Sequence, residues 1–335
     1  MLEFEKKIVH VLDCEHNTCI LSEGCMKKED DVIAKMLSSK AEKVFHSASR
    51  KRGVFRETSY VKELLVKLKD HSITFETFSQ KLAQYVFDKK MEHAQYYVSD
   101  FIVALLLKDE RRYVLVLDNA CTQGITHTVQ NEEDSIITEI IPYKALISST
   151  LTAKDRAFLI ELSDESLCCV ENKVEIEGEK VNFYAEVILQ STTMPSYKES
   201  VKSITKLTEE MSDKYEMDEV DIVPKMKSML VDNIENSKPI QIDEIAEELF
   251  AEKPLAKAEF KEALKKQGVP TAIEVEYVKP TRSDKVQKIK TDKGIEIIIP
   301  VDYMNTKEFV EFKNQPDGTI SVSYTHLTLP TIYSV

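Results

Sequence analysis

Seven glycines in 335 residues, all of them isolated, constrain this chain more than any other feature. That share is roughly 2%, against about 7% in an ordinary protein. Close approach of backbone to phosphate needs clustered glycines, as in GxGxxG or GxxxxGK[ST]. Gly24, Gly53, Gly124, Gly178, Gly268, Gly294 and Gly318 supply no such cluster, which argues against Rossmann and P-loop enzymes.

The length suggests two domains, at about 150 residues each. With 42% hydrophobic and 31% charged residues, the chain has enough apolar material to fold. The apolar runs Phe101 to Leu107 and Tyr113 to Leu117 are split by five charged residues, Lys108 to Arg112. Both runs fall far short of the roughly 20 residues a bilayer requires, so no membrane span is expected. The first seven residues are largely charged and lead into no signal core, which predicts a cytoplasmic protein. Six cysteines, two of them adjacent at Cys168 and Cys169, fit free thiols better than a disulfide framework. Val322 to Val335 reads as a translated sequencing adaptor, so it is set aside and the natural C-terminus is expected to be missing.

Periodicity predicts an α+β fold. Residues 8–12 and 19–21 read as a strand, turn and strand. Asp30 or Asp31, then Thr58 or Ser59, then Thr74 are candidate caps for three helices whose apolar residues recur near every 3.6 positions. The apolar runs around Lys108 to Arg112 predict a core hairpin, with further strands at 136–141 and 157–162. Helices come first and strands later, which favours a mainly antiparallel sheet over repeated βαβ units. A new amphipathic helix begins near Tyr197. Met211 to Lys253 carries 12 acidic and 5 basic residues, and Pro224, Pro239 and Pro254 are expected to cut this part of the chain into short helices. Residues 257–267 form another predicted helix with Gly268 as C-cap, followed by a strand over 272–278. Two hairpins are predicted, around Asp292-Lys293-Gly294 and around 314–318. The expected organisation is an N-terminal α+β domain over residues 1–211 and a smaller helical and β-hairpin domain over 212–321.

Catalytic chemistry is hard to place. Cys14, His16, Cys19 and Cys25 offer zinc-type ligands, but C-x-H-x2-C-x5-C matches no common zinc module. His10, His46, His71, His93 and His127 lie in separate elements, and no GxSxG elbow is present. His93, beside Lys89, Lys90 and Glu92, reads as solvated. No enzyme activity, metal or cofactor is expected.

Two basic segments stand out in a chain of net charge −13. Lys279, Arg282, Lys285, Lys288, Lys290 and Lys293 meet only Asp284 and Asp292 within Lys279 to Lys293, a local charge of +4. Lys288 and Lys290 flank Ile289, so on a strand they share one face. Such cations suit phosphate backbones, although a lysine-rich edge that discourages strand pairing explains them too. The second segment, Lys40 to Arg56, includes Arg50, Lys51 and Arg52 and falls at a predicted helix end, where cations also complement the helix dipole.

The ordered run Lys290-Thr291-Asp292-Lys293-Gly294-Ile295-Glu296, Ile299-Pro300, Val310-Glu311-Phe312 and Asn314-Gln315-Pro316-Asp317-Gly318-Thr319-Ile320 resembles the bacterial nucleoid-associated protein family of the NdpA or YejK type. Similarity continues at Val44-Phe45, Gly53-Val54-Phe55, Phe101 to Leu117 and Leu255 to Gly268. The resemblance implies a cytoplasmic protein on the nucleoid that binds DNA without catalysis, and it supplies no contact residues. The function expected is binding of double-stranded DNA, mainly through phosphates. The alternative is an adaptor among nucleoid proteins, its acidic segment meeting a basic partner. A homo-oligomer is left open.

Overall fold

The structure, a computed structural model, describes residues 2–27, 30–132, 135–290, 294, 296–304, 310–314 and 320–324. The chain divides into two compact units, Met1–Met194 and Pro195–Val335. The division falls at the Met194-Pro195 bond, earlier than the boundary expected near residue 212. The helix starting at Tyr197 packs on helices of the second unit, which is what places it there.

In the first unit the elements run β1 (Leu2–Asp13), β2 (Thr18–Ile20), α1 (Asp31–His46), β3 (Lys51–Phe55), α2 (Tyr60–Lys69), α3 (Phe75–Glu92), β4 (Val98–Lys108) and β5 (Arg111–Ala120). They continue with β6 (Thr122–Glu132), β7 (Ser135–Leu146), β8 (Arg156–Glu161), β9 (Leu167–Val170), β10 (Val174–Ile176), β11 (Glu179–Val181), a π-helical turn (Phe183–Ile188) and β12 (Ser191–Thr193). Eight strands form one antiparallel sheet in the order β12-β3-β9-β8-β5-β4-β1-β2.

The continuous apolar runs of β4 and β5 put them at the centre, because a strand buried on both faces needs no polar alternation. Phe101, Val103, Val114, Val116, Phe158 and Ile160 face α2, α3 and the π-helical turn. The other face carries Tyr113, whose ring meets Phe45 of α1 edge-on at 5.1 Å. Asp30, Ser59 and Thr74 cap the three helices by accepting from Val32, Lys62 and Thr77 N–H groups. Gly53 is required where β3 runs beside β12, since a Cβ there would lie 2.8 Å from the Thr192 carbonyl oxygen.

The second unit contains α4 (Tyr197–Lys214), α5 (Glu219–Glu235), β13 (Ile240–Gln241), α6 (Ile242–Leu249), α7 (Pro254–Lys266), β14 (Ala272–Ile273) and α8 (Arg282–Lys285). It ends with β15 (Val286–Lys290), β16 (Glu296–Pro300), α9 (Val301–Met304), β17 (Val310–Asn314) and β18 (Ile320–Tyr324). The hairpins β15–β16 and β17–β18 fall where turn chemistry predicted them. The pairing of β18 runs past Ser321 as far as Tyr324. Gly268 has φ +75° and closes α7 with a Schellman pair, its own N–H to Lys265 and the Val269 N–H to Leu264.

Two expectations about this unit are corrected. Pro224 lies inside α5 rather than between helices, because the stripe Val223, Met226, Leu230 and Ile234 is buried along one continuous face. The strand predicted over 272–278 pairs only at Ala272 and Ile273, since its partner edge ends where α6 begins.

Candidate nucleic-acid interface

The C-terminal basic run is built on a short helix and a strand. Thr281 caps α8, and the Asp284 carboxylate closes the box by accepting from the Thr281 N–H at 2.7 Å and its hydroxyl at 2.8 Å. Asp284 is therefore buried, while Lys279, Arg282, Lys285 and Lys288 are exposed. One of the two acids that lower the local charge count along the sequence is thus turned inward, away from these four cations, while Asp292 lies outside the described residues. Arg282 and Lys285, three apart on one helical turn, lie on the same side of it.

Two of these cations have carboxylate partners. Lys285 Nζ lies 3.0 Å from Glu235 of α5, and Lys288 Nζ lies 2.8 Å from Glu296 across the β15–β16 hairpin. Both pairs are about half exposed, so each contributes little and yields readily to a competing phosphate. Lys290 ends β15 opposite Glu296. Lys293 lies outside the described residues.

The N-terminal basic segment is different in kind. Arg50, Lys51 and Arg52 belong to the first unit, where β3 is flanked by β9 and β12 rather than standing in a loop. Arg50 is buried, Lys51 and Arg52 are half-buried, and Lys51 Nζ donates to Asn182 Oδ1 at 3.3 Å. Lys40, counted in the same run, is fully buried and donates to Asn119, with Asp155 3.6 Å away. Burial pushes the Lys40 ammonium below its ordinary pKa. Lys40 and Arg50 are therefore withdrawn from solvent, whereas Lys43 and Arg56 of the same run are exposed.

A cation cluster that the sequence did not reveal lines a cleft of about 880 Å³ in the first unit. Lys6, Lys69, Arg111 and Arg112 reach it from β1, α2 and β5, each beside a carboxylate: Glu76 at 3.1 Å, Glu165 at 2.8 Å, Glu161 at 3.7 Å and Glu5 at 3.0 Å. Their charges balance, and no sequence window could show it because the residues are scattered along the chain.

The cysteine group is dispersed in its contacts. Cys14 is buried, the His16 ring meets Asp13 at 2.8 Å, and Cys25 Sγ donates to Glu76 at 3.3 Å. Among the described residues no cluster of three or more His, Cys, Asp or Glu is placed to hold a metal ion. Likewise, no helix among the described residues is long and apolar enough to cross a membrane.

The chain is thus a two-unit α+β protein that carries four exposed cations, Lys279, Arg282, Lys285 and Lys288, on a capped turn and the adjoining strand. The particular family is shown by comparison: this chain belongs to the family of nucleoid-associated protein YejK, whose sequence model matches residues 8–326 across both units. Membership assigns it a nucleoid-associated role. No curated protein matches the chain.

Proposed function

We propose that this protein binds double-stranded DNA through the phosphate backbone, with the α8–β15 segment as the contacting surface and without catalysis. The observation that carries this reading is the outward set Lys279, Arg282, Lys285 and Lys288 beside an Asp284 that faces inward. Phosphate neutralisation by such a set releases condensed counterions and reads no base edge. The remainder of an acidic chain repels DNA and confines contact to this surface. Cytoplasmic residence on the nucleoid fits that partner.

In the adaptor reading the acidic segment meets a basic partner, and Asp243, Glu247 and Glu248 among its twelve acids already lie beside cations of the chain itself. Glu248 pairs with Lys225 at 2.7 Å, and Glu247 and Asp243 pair with Lys257 and Lys261. Binding of the full chain to random-sequence duplex at low salt tests the proposal. Saturable, salt-sensitive binding supports it, and absence of binding supports the adaptor.

A further inference from the structure

Strands β6 and β7 form a ribbon that joins no other strand among the described residues. Their antiparallel register sets Ile125 opposite Pro142, His127 opposite Ile140 and Val129 opposite Thr138, with Ile136 near the turn. Opposed residues share a face, so Ile125, Val129, Ile136 and Ile140 project from the same side. They are 80%, 53%, 75% and 78% exposed, respectively. The other side carries Thr126, Thr128, and Gln130 hydrogen-bonded to Glu139 at 3.4 Å, between the less exposed Ile137 and Ile141. The ribbon is thus amphipathic, with its apolar side in water.

We propose that this apolar side is a self-association surface, and that its occupant is the same face of a second copy of the chain. Spacing is the first argument. Ile125 and Val129 on β6 are four residues apart, and so are Ile136 and Ile140 on β7. Each row spans about 13 Å at ~3.3 Å per residue. A two-fold rotation lays the β6 row of one copy on the β7 row of the other, the reciprocal contact an isologous dimer needs. Area is the second. Four aliphatic side chains this exposed, with Thr138 and Pro142 among them, present several hundred Å² and approach the ~800 Å² each partner of a stable pair buries.

Charge is the third argument. The chain carries −13, so two copies repel, and the repulsion is smallest where neither presents a charge. Ile125, His127, Val129, Ile136, Thr138, Ile140 and Pro142 include no Asp, Glu, Lys or Arg. A nucleic acid or a charged protein finds no counter-charge on them. A lone two-stranded ribbon is marginal in water, and stacking against its twin supplies the missing second layer.

Sedimentation velocity on the full chain, without DNA, tests this independently of the DNA reading. The unaltered protein should sediment at twice the mass of one chain. Ile125→Glu/Ile140→Glu should weaken self-association by about tenfold or more, as loss of central apolar anchors does. Thr128→Glu, on the polar side, should leave it unchanged. A single-chain mass for the unaltered protein at every concentration, or equal loss in Thr128→Glu, would overturn the assignment. Should the double variant misfold, a photo-crosslinking residue at Val129 of the otherwise native chain decides: a covalent dimer joined through residues 136–142 supports the proposal, and its absence refutes it.

Discussion

Lys90 Nζ lies 2.8 Å from the Asp118 carboxylate, and neither side chain is exposed. The pair joins α3 to β5 inside the first unit. Tyr97 and Tyr184 donate their hydroxyls to the same carboxylate at 2.5 and 2.9 Å, and Arg156 donates to the Tyr97 oxygen at 2.6 Å. Burial works to push the Asp118 carboxyl up, but the Lys90 ammonium and these hydrogen bonds outweigh it and hold the group below its ordinary pKa.

Removing one partner leaves a charge buried and uncompensated, which costs about 3–5 kcal/mol. Lys90→Met should therefore lower the urea midpoint sharply. Lys90→Met/Asp118→Asn should recover much of the loss, since the neutral amide leaves no buried charge and its oxygen still accepts from the Tyr97 and Tyr184 hydroxyls. A double variant no more stable than the single would contradict this account.

His10 predicts a pH dependence. Its Nδ1 accepts from the Ser22 N–H at 3.0 Å, so Nε2 carries the proton and donates to Ser79 Oγ at 2.7 Å. Burial lowers its pKa from 6.5 to about 4. Between those values the unfolded chain binds a proton that the folded chain refuses, so stability rises with pH. The contribution is fully present above pH 6.5 and falls by up to about 3 kcal/mol on descending to pH 4. His10→Gln should flatten this part of a chemical-denaturation profile relative to the unaltered protein.

The ion pairs on the proposed DNA surface predict a gain of function. Glu235 and Glu296 compete with phosphate for Lys285 and Lys288. Glu235→Gln and Glu296→Gln should each tighten duplex binding by up to about fivefold, the worth of an exposed pair. Lys279, Arg282, Lys285 and Lys288 together should give a slope of log affinity against log salt of about −3.6, at about −0.9 per phosphate. Changing all four to Gln should abolish most of that slope for every duplex sequence, as fluorescence anisotropy across a salt series would show. An unchanged slope would remove this surface from consideration.

Thiol chemistry gives a further expectation. Burial pushes Cys19 up to about 11, and burial with the Asp100 carboxylate pushes Cys121 up to about 12. Both are thiols rather than thiolates at pH 8, so alkylation should be much slower than for an unhindered cysteine. Mass spectrometry of timed iodoacetamide reactions checks it. A chelator should leave the thermal midpoint unchanged; release of bound zinc with unfolding would restore the Cys14, His16, Cys19 and Cys25 site.

The core strands β4 and β5, the caps Thr74 and Gly268, and the hairpins β15–β16 and β17–β18 were legible in the sequence, which for α1 and α2 offered two adjacent caps each, Asp30 and Ser59 being the ones used. Each depends on a local cause: an uninterrupted apolar run, a side chain within three residues of an orphan N–H, a φ only glycine adopts easily, or a turn between alternating strands. The basic run from Lys279 was visible for the same reason, because neighbouring cations on a strand or helical turn stay neighbours in space. The ribbon partner β6 was not visible, since its threonines and glutamines carry little apolar alternation.

Whether a charge faces water was decided only by the tertiary structure. Lys90 sits in a helical run of charged residues that reads as solvated, yet Asp118, 28 positions away, holds it inside. Lys40 looks like part of a basic patch, yet it is taken up by Asn119, 79 positions away. Asp284 lowers the local charge by count, but its capping bonds turn it from the surface. A sequence window counts every ionised group as if hydrated, whereas hydration is set by what packs over it. Those covering groups come from distant elements, so only the assembled sheet and its helices determine which lysines can meet a phosphate.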